Sequence, residues 1–204
     1  MAIKVANNNS LASITALPSG VSGGAMTLLE TQTASSSSTI QFTSGIDDTY
    51  KEYQIHFMDV HPSGDGAAFT VNFRDGSTAY DATKTTTYFL ASHNENDAAT
   101  QFEYRTGDDL AQSTSFQPIY NNGLGADNDQ SVSGILKLYD PSNTTFVKHF
   151  LCEAQGALDG DLSLIVYMAG YCNVTAAIDG VQFKMASGNI DSGIIKLFGV
   201  SWCL

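Results

Sequence analysis

Acid–base chemistry in a protein usually starts with its histidines, and this chain has four: His56, His61, His93 and His149. His56 falls on the less apolar face of the alternating run EYQIHFMDV (52–60), and His149 sits within VKHFL (147–151). A strand histidine acts as a general base only beside a nucleophile or a second titratable group; without one it is packed or solvated. His61 precedes Pro62 in a turn, and His93 opens the acidic loop HNEND, so both read as surface residues. No G-x-S-x-G elbow, P-loop, H-E-x-x-H or dinucleotide-binding glycine fingerprint occurs. The expectation is a protein that is not an enzyme, with no catalytic residues.

Ligand binding has two further candidates. The loop GADNDQS (125–131) places Asp127, Asn128, Asp129 and Ser131 close together, and the turn GNIDSG adds Asn189 and Asp191. Alternating oxygen donors suit Ca²⁺, yet the EF-hand pattern fails for want of its sixth-position Gly and terminal Glu, and Asx turns account for the same residues without a metal. No cofactor is therefore expected, with calcium held as the minor alternative. Sugar sites on β-sandwiches use exposed aromatics beside Asn and Asp, and Tyr80, Tyr88, Tyr120 with Asn121 and Asn122, and Trp202 have that chemistry. Tyr120, Asn121, Asp127 and Asp129 are the candidate tip-loop contacts for a glycan. Alternate aromatics in strands are more often core residues. Cys152, Cys172 and Cys203 are scattered without a C-x-x-C pair, which indicates neither a disulfide framework nor a zinc site.

These residues must be positioned by strands. Tyr53, Ile55 and Phe57 alternate with Gln54, His56 and Met58, and AAFTVNFR (67–74) repeats the pattern with Phe69, Val71 and Phe73 inward. Further strands are expected at 26–31, 38–43, 85–92, 100–105, 113–120, 131–139, 145–153, 162–169, 177–185 and 192–201, with TASSSST (33–39) as a polar link and long connections near 75–84 and 121–130. No segment carries an apolar stripe of helical period over three turns, and Thr, Ser and Gly are too frequent to sustain one. The fold expected is all-β, a two-sheet jelly-roll-like β-sandwich over residues 26–204, preceded by a short extended arm at 1–25. In AAIDGVQFKMASGNIDSGIIKLFGV (176–200) two apolar runs flank a turn, which reads as a closing hairpin whose second strand is central or covered on both faces.

With 204 residues, 43% of them hydrophobic and 15% charged, the chain is long and apolar enough for one sizeable core. Its net charge of −12 would repel a phosphate backbone and an anionic membrane surface, so neither nucleic acid nor membrane is an expected partner. MAIKVANNNS lacks the apolar stretch of a secretory signal, and LSLIVYMAGY is far shorter than the ~20 residues of a spanning helix. Synthesis and folding in the cytoplasm are expected.

The blocks TASSSSTIQFTSGIDDTYKEYQIHFMDVHPSGDGAAFTVNF, KTTTYFLASHNE, DLAQSTSFQPI, GILKLYDPSNTTFVKHF and AGYCNVTAAIDGVQFKMASGNIDSGIIKLFGV resemble a family of small structural proteins of tailed bacteriophages, common in marine viruses. The likeness spans about residues 26 to 200, and the ordered set carries it. It implies a virion component made in the bacterial host and displayed on the particle surface: a capsid decoration or cement protein or a head fibre, with a tail-associated adhesin for host surface glycans as the alternative. The implied partners are phage capsid or tail proteins. No heptad, collagen-like or β-helical repeat supplies a fibre shaft, so direct docking as a symmetric homo-oligomer, a trimer being favoured, fits better. The arm would clamp a neighbouring subunit through Leu11, Ile14, Leu17 and Val21.

Overall fold

The computed structural model describes residues 25–201. Twelve antiparallel strands are present among them: β1 (Met26–Ser37), β2 (Ile40–Phe42), β3 (Glu52–Pro62), β4 (Ala67–Arg74), β5 (Lys84–Asn94), β6 (Thr100–Tyr104), β7 (Gln117–Leu124), β8 (Val132–Tyr139), β9 (Lys148–Leu158), β10 (Leu162–Cys172), β11 (Gly180–Met185) and β12 (Ile190–Val200). Eight of them form a large sheet in the order β1-β12-β3-β8-β9-β10-β5-β6, and β2-β11-β4-β7 form a small one. A single residue pair, Leu124 with Leu158, joins the two at a corner. The expected all-β, jelly-roll-like sandwich is the observed fold.

The pairing is nested. β1 and β3 flank β12, β2 and β4 flank β11, and β5 pairs with β10, so the chain folds back on itself and crosses between sheets at every connection except the β5–β6, β8–β9 and β9–β10 hairpins. That swirl of paired ribbons is how a jelly roll closes.

It also corrects the expected closing hairpin. β11 pairs with β2 and β4 in the small sheet, whereas β12 pairs with β1 and β3 in the large one; the two strands are not partners. Residues 186–189 are a crossover, and they run beside the β3–β4 crossover: Ser63 N donates to Asn189 O (3.0 Å) and Asn189 N to Ser63 Oγ (2.9 Å). A Gly, Asn, Asp and Ser knot between apolar runs satisfies either geometry, so the sequence pattern alone did not separate them. Two connections are also shorter than expected. β1 continues to Ser37 through most of the polar link, because an edge ladder is held by backbone bonds that Ser and Thr supply as well as Val does. Residues 121–124 belong to β7.

Both inner faces meet in one aromatic core. Phe57 lies against Phe69 (ring centroids 5.4 Å), Phe69 stacks on Phe183 (5.6 Å), and Phe73 meets Phe150 (4.8 Å). Each of these rings is fully buried, and burial of such a side chain contributes about 1.5–3 kcal/mol. Inward glycines make room for rings: a Cβ on Gly134 would stand 2.6 Å from Phe57 Cζ, and one on Gly156 would stand 2.9 Å from Tyr120 Cζ.

Candidate functional site

Strand alternation gives the large sheet a second, outward face, and its residues are unusually apolar for a surface. Phe89 of β5 is in register with Tyr167 of β10 and with Tyr104 of β6. Its ring stacks on Tyr167 (5.3 Å, 20° between planes) and takes Phe102 edge-on at 6.1 Å. Phe102 is 78% exposed and Leu151 of β9 is 46% exposed, far above what a core side chain shows. At the other end of the same face Leu28 is in register with Phe198, Met58 with Ile194, and His56 packs on Phe198 at 4.9 Å. Between the two ends, Ile135, Leu151 and Tyr167 line a groove of about 360 Å³ rimmed by Lys137, Glu153 and Gln155.

Charge is sparse on this face. Most of the 21 acidic residues lie in connecting loops, while the outward strand positions offer Lys137 and Glu153 on the adjacent β8 and β9, and Lys196 on β12. The His56 imidazole is held below its ordinary pKa by burial and then by the nearby Lys137 ammonium, which favours the neutral ring. Aromatic and aliphatic enrichment with few charges is the composition of an interface centre.

The outer face of the small sheet is built differently. Thr70 Oγ1 donates to Lys184 O (2.8 Å), Asn72 Nδ2 to Thr114 O (2.9 Å) and Arg74 Nε to Asp179 Oδ1 (2.7 Å), while the Lys184 ammonium sits 4.0 Å above the Phe116 ring. These polar groups are paired within the chain, with Asn72 and Lys184 lying against Thr114 and Phe116 of the 113–116 segment.

The residues singled out as glycan contacts do not assemble. Tyr120 is fully buried, its ring seated over Gly156, and burial drives its hydroxyl pKa up; it is a core residue and not a surface contact. Asn121 is half-buried, donating through Nδ2 to Asp108 and through its backbone N–H to Tyr88 Oη. Asp127 and Asp129 are exposed in the β7–β8 loop, away from both. His61 Nε2 donates to Asp127 O (3.2 Å), and His61 Nδ1 lies 3.9 Å from Asp191, so the two oxygen-rich loops do approach each other. No group of three His, Cys, Asp or Glu gathers as a cation site among the described residues. Tyr88 is buried, Tyr80 is half-buried under the Arg74 guanidinium, and Trp202 lies outside the described residues. So do Leu11, Ile14, Leu17 and Val21 of the arm.

Two amines are buried in the interior. Lys84 Nζ donates to Asn72 Oδ1 (2.6 Å) and Ala82 O (3.1 Å), and Lys148 Nζ to Val174 O (2.6 Å) and Asn143 O (3.2 Å). Both flank Cys172 across the ladder. Burial lowers the Lys84 pKa from 10.5 to about 8 and raises that of the Cys172 thiol to about 12. The amines close backbone carbonyls, and the thiol stays protonated at neutral pH.

Sequence reasoning missed the outward apolar face, although a signal was present. LSLIVYMA and GIIKLFGV are apolar at both parities; for the second run that continuity reads as a strand central in its sheet or covered on both faces, and β12 is central, between β1 and β3. Ile195 and Leu197 are indeed fully buried, but Ile194 is 37% exposed, and among the described residues nothing covers it.

No protein-family model matches the chain, and no curated protein does. Among solved structures, a structural-genomics protein of unknown function from Bacteroides ovatus superimposes with a TM-score of 0.29 and 7% identity. The match covers 52% of this chain and 46% of that one, so it spans under half the length of the neighbour; a likeness at this level carries no argument.

Proposed function

We propose that the chain is a non-enzymatic structural protein of a tailed-bacteriophage virion. It docks as a decoration, cement or head-fibre protein on the particle surface, through the outer face of its large sheet. The carrying observation is that face: Phe89, Phe102, Leu151 and Tyr167 at one end and Ile194 at the other are exposed on one sheet, in a chain whose acidic residues sit mostly in loops. Burying them against a capsid protein would supply the hydrophobic contact, the acidic loops would face solvent, and many copies would multiply a weak individual contact. The resemblance of residues 26–200 to phage structural proteins supplies the particle. Labelling the chain on intact virions tests it: label spread over the head supports decoration, and absence of the chain from purified particles contradicts the reading.

The second reading, a tail-associated adhesin for host glycans, is favoured by one observation. The stacked Phe89 and Tyr167 rings with exposed Phe102 form an aromatic platform of the kind on which sugar rings stack. Label gathered at the tail, with glycan binding abolished by Tyr167→Ala, would select it.

A further inference from the structure

Between β4 and β5 the chain crosses from the small sheet to the large one, and a buried pair of side chains bridges the crossing. Asn72 of β4 and Lys84, the first residue of β5, are both fully buried. Lys84 Nζ donates to Asn72 Oδ1 at 2.6 Å and to Ala82 O at 3.1 Å. The carboxamide is fixed from its other sides as well: Phe73 N donates to the same Oδ1 (2.9 Å), and Asn72 Nδ2 donates to Thr114 O (2.9 Å). Ser113 bonds the Lys84 backbone in both directions, N–H to O at 2.9 and 3.0 Å, which anchors the lysine beside the same segment.

Among the described residues no carboxylate hydrogen-bonds to this amine, and burial lowers its pKa to about 8. Cys172, opposite Lys84 in the ladder, and Asp81 act on it electrostatically and offset part of that shift. A lysine desolvated in this way is an activated nucleophile. The amide it touches has the complementary features of an electrophile. Its oxygen receives two donors at the place where negative charge would develop on attack, and its nitrogen is oriented by an acceptor. Contact held by the fold replaces the chance encounter of two free groups.

We infer that Lys84 and Asn72 react with each other to form an intramolecular isopeptide bond that ties β4 to β5. Lys84 Nζ, as the neutral amine, adds to Asn72 Cγ. The Nζ–Cγ bond forms, the Cγ–Nδ2 bond breaks, and Nδ2 leaves as ammonia carrying the proton that Nζ gives up. Atoms balance without an oxidant or any co-reactant. With no carboxylate bonded to the pair to pass that proton on, the bond accumulates on standing, and freshly folded chain holds the free amine. The product replaces a buried amine by a neutral amide and joins the two sheets covalently. This site is distinct from the outward face, and the inference stands whether or not that face docks on a virion.

Peptide mapping of the full chain tests it, on protein freshly folded and on protein incubated, still folded, above the Lys84 pKa of about 8. Trypsin cuts after a free lysine and not after an acylated one. The expected product of incubation is residues 52–74 joined to residues 75–105, uncut after Lys84 and lighter by one ammonia than the two peptides together. Fragmentation should place the link between Asn72 and Lys84. Its rate of appearance should fall about tenfold for each pH unit below that pKa, as the neutral amine becomes scarce. Lys84→Arg, which keeps the cation and removes the amine, should give no such product. The Asn–Gly sequence at 122–123 can also shed ammonia, as a succinimide, but hydroxylamine opens that ring and leaves an isopeptide bond intact. Ammonia loss confined to 122–123 would overturn the inference, and so would unlinked peptides ending at Arg74 and Lys84 after incubation.

Discussion

The two faces of the large sheet are made of the same residue types and have opposite fates. Inward, Phe57, Phe150, Leu197 and Val166 are fully buried, and glycines leave room for rings, Gly134 for Phe57 of the same sheet and Gly156 for Tyr120 of the other. Outward, Leu151 and Tyr167 follow Phe150 and Val166 directly along β9 and β10, and with Phe89 and Phe102 of β5 and β6 they stay exposed. Strand geometry makes this unavoidable, because adjacent side chains point to opposite faces. The comparison teaches that residue type does not set the role; the presence of a second layer does. Inside, an apolar side chain stabilises the fold. Outside, it is free to stabilise an assembly.

The largest expected effect lies inside. Phe150→Ala removes a ring packed on Phe73 and should cost about 3–5 kcal/mol in denaturant unfolding. Tyr167→Ala, in the neighbouring strand but outward, should cost less than about 1 kcal/mol in the same experiment. Equal losses would break the comparison.

A charge sharpens it next. Lys84 is buried with its folded pKa near 8, against 10.5 for the ordinary side chain. Between those values the unfolded chain binds more protons than the folded one, so stability attributable to Lys84 rises with pH from about 8 to 10.5 and is flat below. Relative to Lys84→Met, the native chain should gain roughly 3 kcal/mol across that window. The Cys152 thiol, whose raised pKa acts in the opposite direction, is common to both proteins and drops out of the difference; the Cys172 thiol is itself lowered by Lys84, so the comparison is made with Cys172→Ser in both proteins. Smaller again, Gly156→Val places a Cβ 2.7 Å from Ser131 O and against the Tyr120 ring, and should cost about 1–3 kcal/mol by overpacking.

Much of the inner face was legible beforehand. Alternation in EYQIHFMDV and AAFTVNFR correctly turned Tyr53, Ile55, Phe57, Phe69, Val71 and Phe73 inward, since period-two burial is a local property. Pairing is not local. The turn GNIDSG marks a reversal without telling whether the chain returns in its own sheet or crosses to the other, so the β11–β12 hairpin was misread. The candidate site was less legible still. Tyr120 and Asn121 were chosen for chemistry at a strand end, yet β7 carries the tyrosine into the core, where Gly156, 36 positions away in the sequence, makes its seat. The outward apolar face was written in double-parity runs, but a strand covered by its own chain and one awaiting another molecule have the same sequence signature.

The central claim is that the outward face is a docking surface. Its most direct test is binding to phage particles stripped of the chain, comparing the native protein with Phe89→Ser/Tyr167→Ser, and with Lys184→Ser on the small sheet as the control. The account predicts at least a tenfold loss of binding for the double variant, with its unfolding midpoint nearly unchanged, and no loss for the control. Native-level binding by a folded double variant would contradict it.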